Sequence, residues 1–390
     1  MKKAEPIPRS RDDNYSLEEI ARRREFLTRQ TGAGLDAISN FTLDPKLTQG
    51  NVENFIGTLQ MPLGIAGPLH IDGEHAQGDF YVPLATTEGT LVASYSRGMR
   101  VISECGGVKT TVVKHSMQRA PVFIFEDALQ ARDFGAWLVD KFDEIKAMAE
   151  TTTRSGKLVE IEQYPVGKML YTRFCYTTGD AAGQNMTGKA TFSACEWIKA
   201  NHPMNPEYIL SGAVDTDKKH SAMNMIRGRG KRVIAEFVLK REVARDLLRV
   251  DTEELYRYRQ IASVGALQAG SVYSGAHSAN GIAALFIATG QDEANVAESH
   301  AGITYAHLLD NGDYYWSVTL PAVICATYGG GTGLPGQRDC LEMLDCYGSG
   351  KADKFAEIVA AVVLAGDISL TSAVLAGDWV TSHEELGRNR

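Results

Sequence analysis

Four stretches of the 390-residue chain set an ionisable side chain among small residues that leave it room to act. Thr86-Thr87-Glu88-Gly89 puts a carboxylate where the chain changes direction. It precedes a segment whose Leu91, Val92, Tyr95, Met99 and Ile102 share one helical face and which Gly106-Gly107 should close. A carboxylate held by a rigid helix can face a cavity. The same letters also describe a capping turn, with Thr87 as N-cap and Glu88 in the first turn. Asp215-Thr216-Asp217-Lys218-Lys219 sets two lysines beside two aspartates. A lysine held by an aspartate can stabilise charge growing on a carbonyl oxygen, although a solvated turn has the same composition. Gly290-Gln291-Asp292 ends the apolar run IAALFIAT, and a carboxylate placed there needs a partner. Ser382-His383 carries either a surface histidine or a proton donor on a moving tail.

A second group of residues suits phosphate. Gly179-Asp180-Ala181-Ala182-Gly183-Gln184-Asn185 opens a predicted helix with small residues, so backbone amides can approach an anion. Thr153 and Arg154, at the end of the preceding helical stretch, add a hydroxyl and a cation. Together they outline a non-Rossmann dinucleotide site. Gly331-Thr332-Gly333-Leu334-Pro335-Gly336 has the Rossmann spacing, but Pro335 interrupts the turn and no acid-ended strand follows at the required distance.

The elements that must position these residues are those of an α+β protein. Ser16 caps a helix beginning LEEIARRREFL, with Glu19 at the capping-box position, inside an N-terminal helical segment spanning 1–50. Strands and loops run from Asn51 to Ala85. From 120 to 208 the order is β-α-β-β-α-β, a ferredoxin-like unit inserted into a larger domain covering 51–119 and 209–370. Within it, one long amphipathic helix covers ALQARDFGAWLVDKFDEIKAMAETT. After it, SAMNMIRGRGKRVIAEFVL reads as a strand, and GIAALFIATGQDEANVAESHAGITYAHLL as a buried helix. Residues 371–390 form a tail carrying His383. The helix behind Glu88 takes the central place in the large domain.

Net charge is −8, so no global basic field draws the chain to nucleic acid or to an anionic membrane. The six cysteines form no CxxC pair, which argues for free thiols in a reducing compartment and against a structural metal. The charged N-terminus holds no signal-peptide core, and the run Val359–Ala365 is too short to span a bilayer. The expectation is a cytoplasmic protein with no metal.

Ten segments in order carry a resemblance: ENFIG, PLGIAGPL, ATTEGTLVAS, TGDAAGQNM, DTDKK, GRGK, HSAN, GQD, GGGT and TSH. From Asn51 to His383 the chain resembles the soluble catalytic domain of hydroxymethylglutaryl-CoA reductases, more the biosynthetic NADPH-using class than the degradative one. The resemblance implies NADPH, an acyl-CoA substrate, mevalonate as product, and a homodimer or homotetramer whose active sites lie between subunits. It assigns Glu88 to proton supply at the carbonyl oxygen, Lys218 to the oxyanion, Asp292 to the network linking them, and His383 to protonation of the departing thiolate. Thr153, Arg154, Asp180, Gly183 and Asn185 fall on the cofactor side. Arg119, Ser211, Asp217, Lys219 and Asn280 fall on acyl contacts, and Arg97, Arg100 and Arg249 near the CoA phosphates.

Three departures touch the acyl contacts. Ile261 stands in RQIASVG where the family carries a lysine, with Arg259 as the nearest cation. Ala213 and Gly275 each replace a family asparagine. Reductase chemistry with a shifted acyl group therefore stays open, as does a non-redox thioester hydrolase or binding protein on the same fold.

Overall fold

The computed structural model describes residues 5–377. Its first helix, α1 (Leu17–Thr31), starts at Ser16, whose side chain accepts from the Glu19 N–H and relieves one unpaired donor of the first turn. A hairpin follows, β1 (Leu63–Asp72) with β2 (Gln77–Ala85), and then α2 (Leu91–Glu104). Cys105 caps α2, and Gly106 and Gly107 follow with φ of 96° and 99°, so the glycine pair ends the helix as expected.

Strand β3 (Lys109–Arg119) belongs to two assemblies. Its first part pairs antiparallel with β8 (Gly230–Leu239), which pairs with β10 (Tyr314–Val323) and through it β9 (Ile303–Leu308). Its last three residues pair with β6 (Met169–Thr177). Beyond Ala120-Pro121 the chain continues along the same edge of β6 as β4 (Val122–Ile124), while β5 (Lys157–Val166) takes the other edge and β7 (Glu207–Ile209) flanks β4. The result is one eight-stranded sheet whose smaller end runs β7-β4-β6-β5, with every neighbour antiparallel. Arg119 stands at the seam.

Several elements differ from expectation. The long helix of the inserted stretch breaks at Lys141 into α3 (Ala128–Asp140) and α4 (Phe142–Glu150). Helix α5 (Gln184–Asn201) forms as expected. The segment read as a strand before GRGK begins with α6 (Ala222–Arg227), capped by the Ser221 hydroxyl. After α7 (Thr252–Ala269), the apolar run starting at Gly281 makes only the short α8 (Ser278–Thr289), which Gly290 ends in the left-handed conformation. ITYAHLL beyond it is β9, because a second apolar stretch follows a helix stop and pairs with β10.

The central helix is not α2 but α10 (Ala352–Ala376), which follows α9 (Pro335–Met343) and reaches into the stretch expected as tail. Nearly every residue of α10 up to Ala373 is buried, whereas α2 keeps Arg100 and Glu104 in solvent. Among the described residues α10 alone is long and apolar enough to cross a membrane, yet 83% of its apolar window is buried in the core. Small residues let neighbours come close. A Cβ on Gly98 of α2 would lie 1.8 Å from the Ala365 carbonyl oxygen. The Tyr95 ring fits between Gly281 of α8 and Gly366 of α10, either of whose Cβ atoms would meet it at 2.5 Å.

The α2–α10 crossing therefore admits no side chain at position 98. Gly98→Ala is expected to lower stability by about 1–3 kcal/mol through overpacking, seen as a reduced urea midpoint at unchanged slope. A wild-type midpoint would show that the crossing is looser.

Candidate active site

The loop holding Asp215 to Lys219 follows β7 and is strained. Ala213, Thr216 and Lys218 have φ of 69°, 54° and 55°, left-handed values that non-glycine residues adopt only when their surroundings hold them there. Arg229, fully buried at the entry to β8, does the holding. Its guanidinium donates twice to Glu298, at 2.9 and 2.8 Å, and once to Asp217, at 2.9 Å. Glu298 also accepts the Lys218 backbone N–H. Burial pushes the Glu298 carboxyl up to about 7 against the pull of Arg229. Burial also opposes the Asp217 charge, but Arg229, Gln184 and Arg119 together hold that carboxyl below its ordinary range.

Other expected residues gather at this loop. Arg119 and the Ser211 hydroxyl each donate to Asp215 at 3.2 Å, and the Lys219 ammonium donates to the Asp217 carbonyl at 3.0 Å. The Lys218 ammonium stands 2.7 Å from Asp292, half-exposed. That hydrogen bond raises the Lys218 pKa, so the amine stays charged. Asp292 follows the end of α8, where its side chain accepts from the Ala294 N–H and its carbonyl from Asn295. The acid set after an apolar run thus has its partner.

Glu88 lies elsewhere. Helix α2 begins at Leu91, with Thr90 in a left-handed turn before it and no side-chain cap, so Thr87 is not an N-cap and Glu88 is not in a first turn. The Glu88 N–H donates to the Thr86 hydroxyl at 3.0 Å. Its exposed carboxylate accepts from the Asn280 amide at 3.3 and 3.2 Å. Asn280 occupies the first turn of α8, and Asp292 lies beyond the last. Among the described residues no hydrogen bond joins Glu88 to the Lys218–Asp292 pair.

Where the sequence predicts a phosphate site, Gly183 begins α5 with φ 90° and no side-chain cap. A Cβ there would meet the Thr178 methyl at 2.2 Å, so glycine is required on both counts. The first amides of α5 are thereby left without a side-chain partner from the cap, with exposed Asn185 beside them. Arg154 is exposed, and the Thr153 hydroxyl accepts from the Gly156 N–H at 2.9 Å, shaping that turn. The Asp180 carboxylate accepts from the N–H groups of Gly350, Lys351 and Ala352 at 2.8, 3.1 and 3.2 Å, where it caps α10. Arg97 donates to the Ser369 hydroxyl and carbonyl of α10 at 3.0 and 2.6 Å. Arg100 projects into solvent beside Glu104, and Arg249 is exposed in a left-handed conformation. His383 lies outside the described residues.

The departures have structural counterparts. Ile261 is 60% exposed on α7. Arg259 is buried, donating to the Ser263 hydroxyl and the Ser274 carbonyl, so it does not replace the missing lysine. A Cβ at Gly275 would lie 2.1 Å from the Asp367 carboxylate, which receives the Tyr273 hydroxyl. Arg229, Glu298, Gln184 and Asn295 escaped the sequence reading. Glu298 offered one signal, an acid near the same apolar run that made Asp292 conspicuous.

The comparisons agree with this architecture. The model of the hydroxymethylglutaryl-coenzyme A reductase family matches residues 19–388. The 3-hydroxy-3-methylglutaryl-coenzyme A reductase of Methanocaldococcus jannaschii is 45% identical over 94% of this chain and 92% of its own. That of Methanothermobacter thermautotrophicus is 44% identical over 95% and 94%. The fold resembles the class II reductase of Streptococcus pneumoniae, solved bound to NADPH in open conformations: TM-score 0.69, 21% identity, 92% of this chain and 97% of that one.

The Glu298 environment makes a pH prediction. The folded state holds this proton more tightly than the unfolded chain, whose carboxyl keeps the ordinary value of 4.5. Its contribution to stability is therefore present at low pH and lost as pH rises from about 4.5 through about 7. Urea unfolding of wild type should lose stability over that window relative to Glu298→Gln, which also unfolds earlier overall because buried Arg229 loses its partner. Parallel pH profiles for the two proteins would remove Glu298 as the titrating group.

Proposed function

The chain belongs to the hydroxymethylglutaryl-coenzyme A reductase family, and on that premise we propose that it reduces the thioester of hydroxymethylglutaryl-CoA to the alcohol of mevalonate, with NADPH as reductant and coenzyme A released. The observation that carries this reading is the Lys218 ammonium fixed 2.7 Å from Asp292 on a loop clamped by Arg229 and Glu298. Each bound dinucleotide would supply one hydride, so the four-electron reduction consumes two molecules of NADPH in turn. The open start of α5 with Asn185, and exposed Arg154, suit its phosphates.

The protein's own groups handle charge and protons. Lys218 keeps two N–H bonds to place on an oxygen gaining charge, and Asp292 keeps the ammonium from turning away. Glu88, held by Asn280, supplies a proton. His383 is the proposed donor to the thiolate. Arg119, Ser211, Asp217 and Lys219 shape the acyl side of the loop. Strand order β7-β4-β6-β5 supports a ferredoxin-like insert. Six free cysteines support a cytoplasmic setting.

We place the site between two copies of the chain, in a dimer or tetramer. From Asn280 to Thr289 α8 rises about 14 Å, so the Glu88 end and the Asp292 end lie far apart for groups that act on one carbonyl. On α7, Ile261, Val264 and Leu267 form a stripe 60%, 67% and 83% exposed, an apolar face suited to burial against a second copy. A second reading keeps the chemistry and changes the acyl group. It is favoured by an exposed isoleucine at 261 with no cation in its stead.

The test is loss of NADPH absorbance with hydroxymethylglutaryl-CoA, scored against other acyl thioesters. Lys218→Ala should cut turnover about a hundredfold or more. Thioester cleavage without NADPH oxidation would replace the reductase with a hydrolase, and faster reduction of another thioester would favour the second reading. Mixing and reassembling inactive Glu88→Ala and Lys218→Ala proteins should restore activity, up to about a quarter of wild type from mixed pairs. No recovery despite subunit exchange would place the whole site in one chain.

A further inference from the structure

Gln184 is the first residue of α5, immediately after the Gly183 cap. Its side-chain amide has two N–H bonds and donates both, to Asp217 at 3.1 Å and to Asn295 at 2.9 Å. Asp217 adjoins Lys218 and shares the Arg229 guanidinium. Asn295 is 1% exposed, and its backbone N–H donates to the Asp292 carbonyl at 2.9 Å. One amide thus ties the start of α5 to both segments whose side chains make the Lys218–Asp292 pair. Neither hydrogen bond of the Gln184 amide is local in sequence, so each fixes one element against another.

We propose that Gln184 is a positioning residue that transmits occupancy of the α5 start to the Lys218–Asp292 pair. The inference rests on the dinucleotide reading of that helix start. Anything binding the first amides of α5 moves or rigidifies the residue that carries this side chain. Asp217 and Asn295 must then follow, because losing Gln184 leaves a buried side-chain oxygen of Asn295 without its donor. A side chain serving only as cement between the two units would add stability but would not relay a ligand.

Hydrogen exchange with NADPH alone, without thioester, separates these roles and needs no turnover. In wild type, NADPH should slow exchange at 183–187 and also at 215–219 and 292–295. In Gln184→Met, which keeps length but has no donors, protection should remain at 183–187 and vanish from the other two segments. Turnover should fall about tenfold while the KM for NADPH stays within about twofold. Gln184→Glu, which sets a like charge against Asp217, should lose the distant protection too and serves if the methionine variant does not fold. Distant protection retained in either folded variant, or absent in wild type while 183–187 is protected, overturns the proposal. No protection at 183–187 in wild type overturns the dinucleotide reading itself.

Discussion

A helix buried on every side must be satisfied by what packs around it, and α10 imposes that demand on the rest of the molecule. It carries two carboxylates with no solvent exposure, Glu357 and Asp367. An unpaired buried carboxylate costs several kcal/mol. Each is answered by turns from distant parts of the chain. Glu357 accepts the N–H groups of His75 and Ala76 at 3.0 and 2.8 Å, which pins the β1–β2 hairpin. Asp367 accepts those of Ala276 and His277 at 3.0 and 3.3 Å, together with the Tyr273 hydroxyl. At the helix start, Asp180 meets three amides whose partial positive charge favours it.

These contacts reach the chemistry. The turn held by Asp367 leads into α8, and the Nε2 of His277 within it donates to the Gly366 carbonyl at 2.9 Å. Helix α8 therefore leaves α10 in a fixed direction, with Asn280 and Glu88 near its start and Asp292 past its end. The loop that brings Asp180 to α10 continues to Gly183 and the start of α5. One buried helix sets both the segment that carries Asn280 and the segment that opens α5.

What the sequence shows and what it hides divide along the same line. That Asp292 needs a partner was legible because an acid after an apolar run cannot stay unpaired, whereas the network joining it to Lys218 was implied by the family resemblance. The α+β character and the strands around the insert were legible from alternation. The identity of the central helix was not. Helix α2 is apolar on one face and α10 nearly all round, but Glu357 and Asp367 break that run like a polar face until their backbone partners are known. Asp180 shows the same limit. It was assigned from its glycine-rich setting, but its hydrogen-bond partners lie some 170 residues away. Arg229 and Glu298 form a buried pair that neither residue announces alone.

The substitution at 275 follows from this core. Position 275 lies beside Asp367, and any side chain there would meet that carboxylate and the Tyr273 ring. With Tyr273 filling the space and satisfying Asp367, only glycine fits. The hydrogen bonding that an asparagine could offer at this turn is met instead by Tyr273, two residues earlier in the same turn, which keeps the helix start in place. Ile261 on α7 carries no charge, and buried Arg259 supplies none to that surface. Asn280 and Glu88 near the start of α8 and Asp292 past its end rest on a helix that α10 orients, whereas Lys218 rides on the loop clamped by Arg229 and Glu298. Position 275 and the turn into α8 both rest on Asp367, so a change at 275 is felt where Asn280 and Glu88 are held.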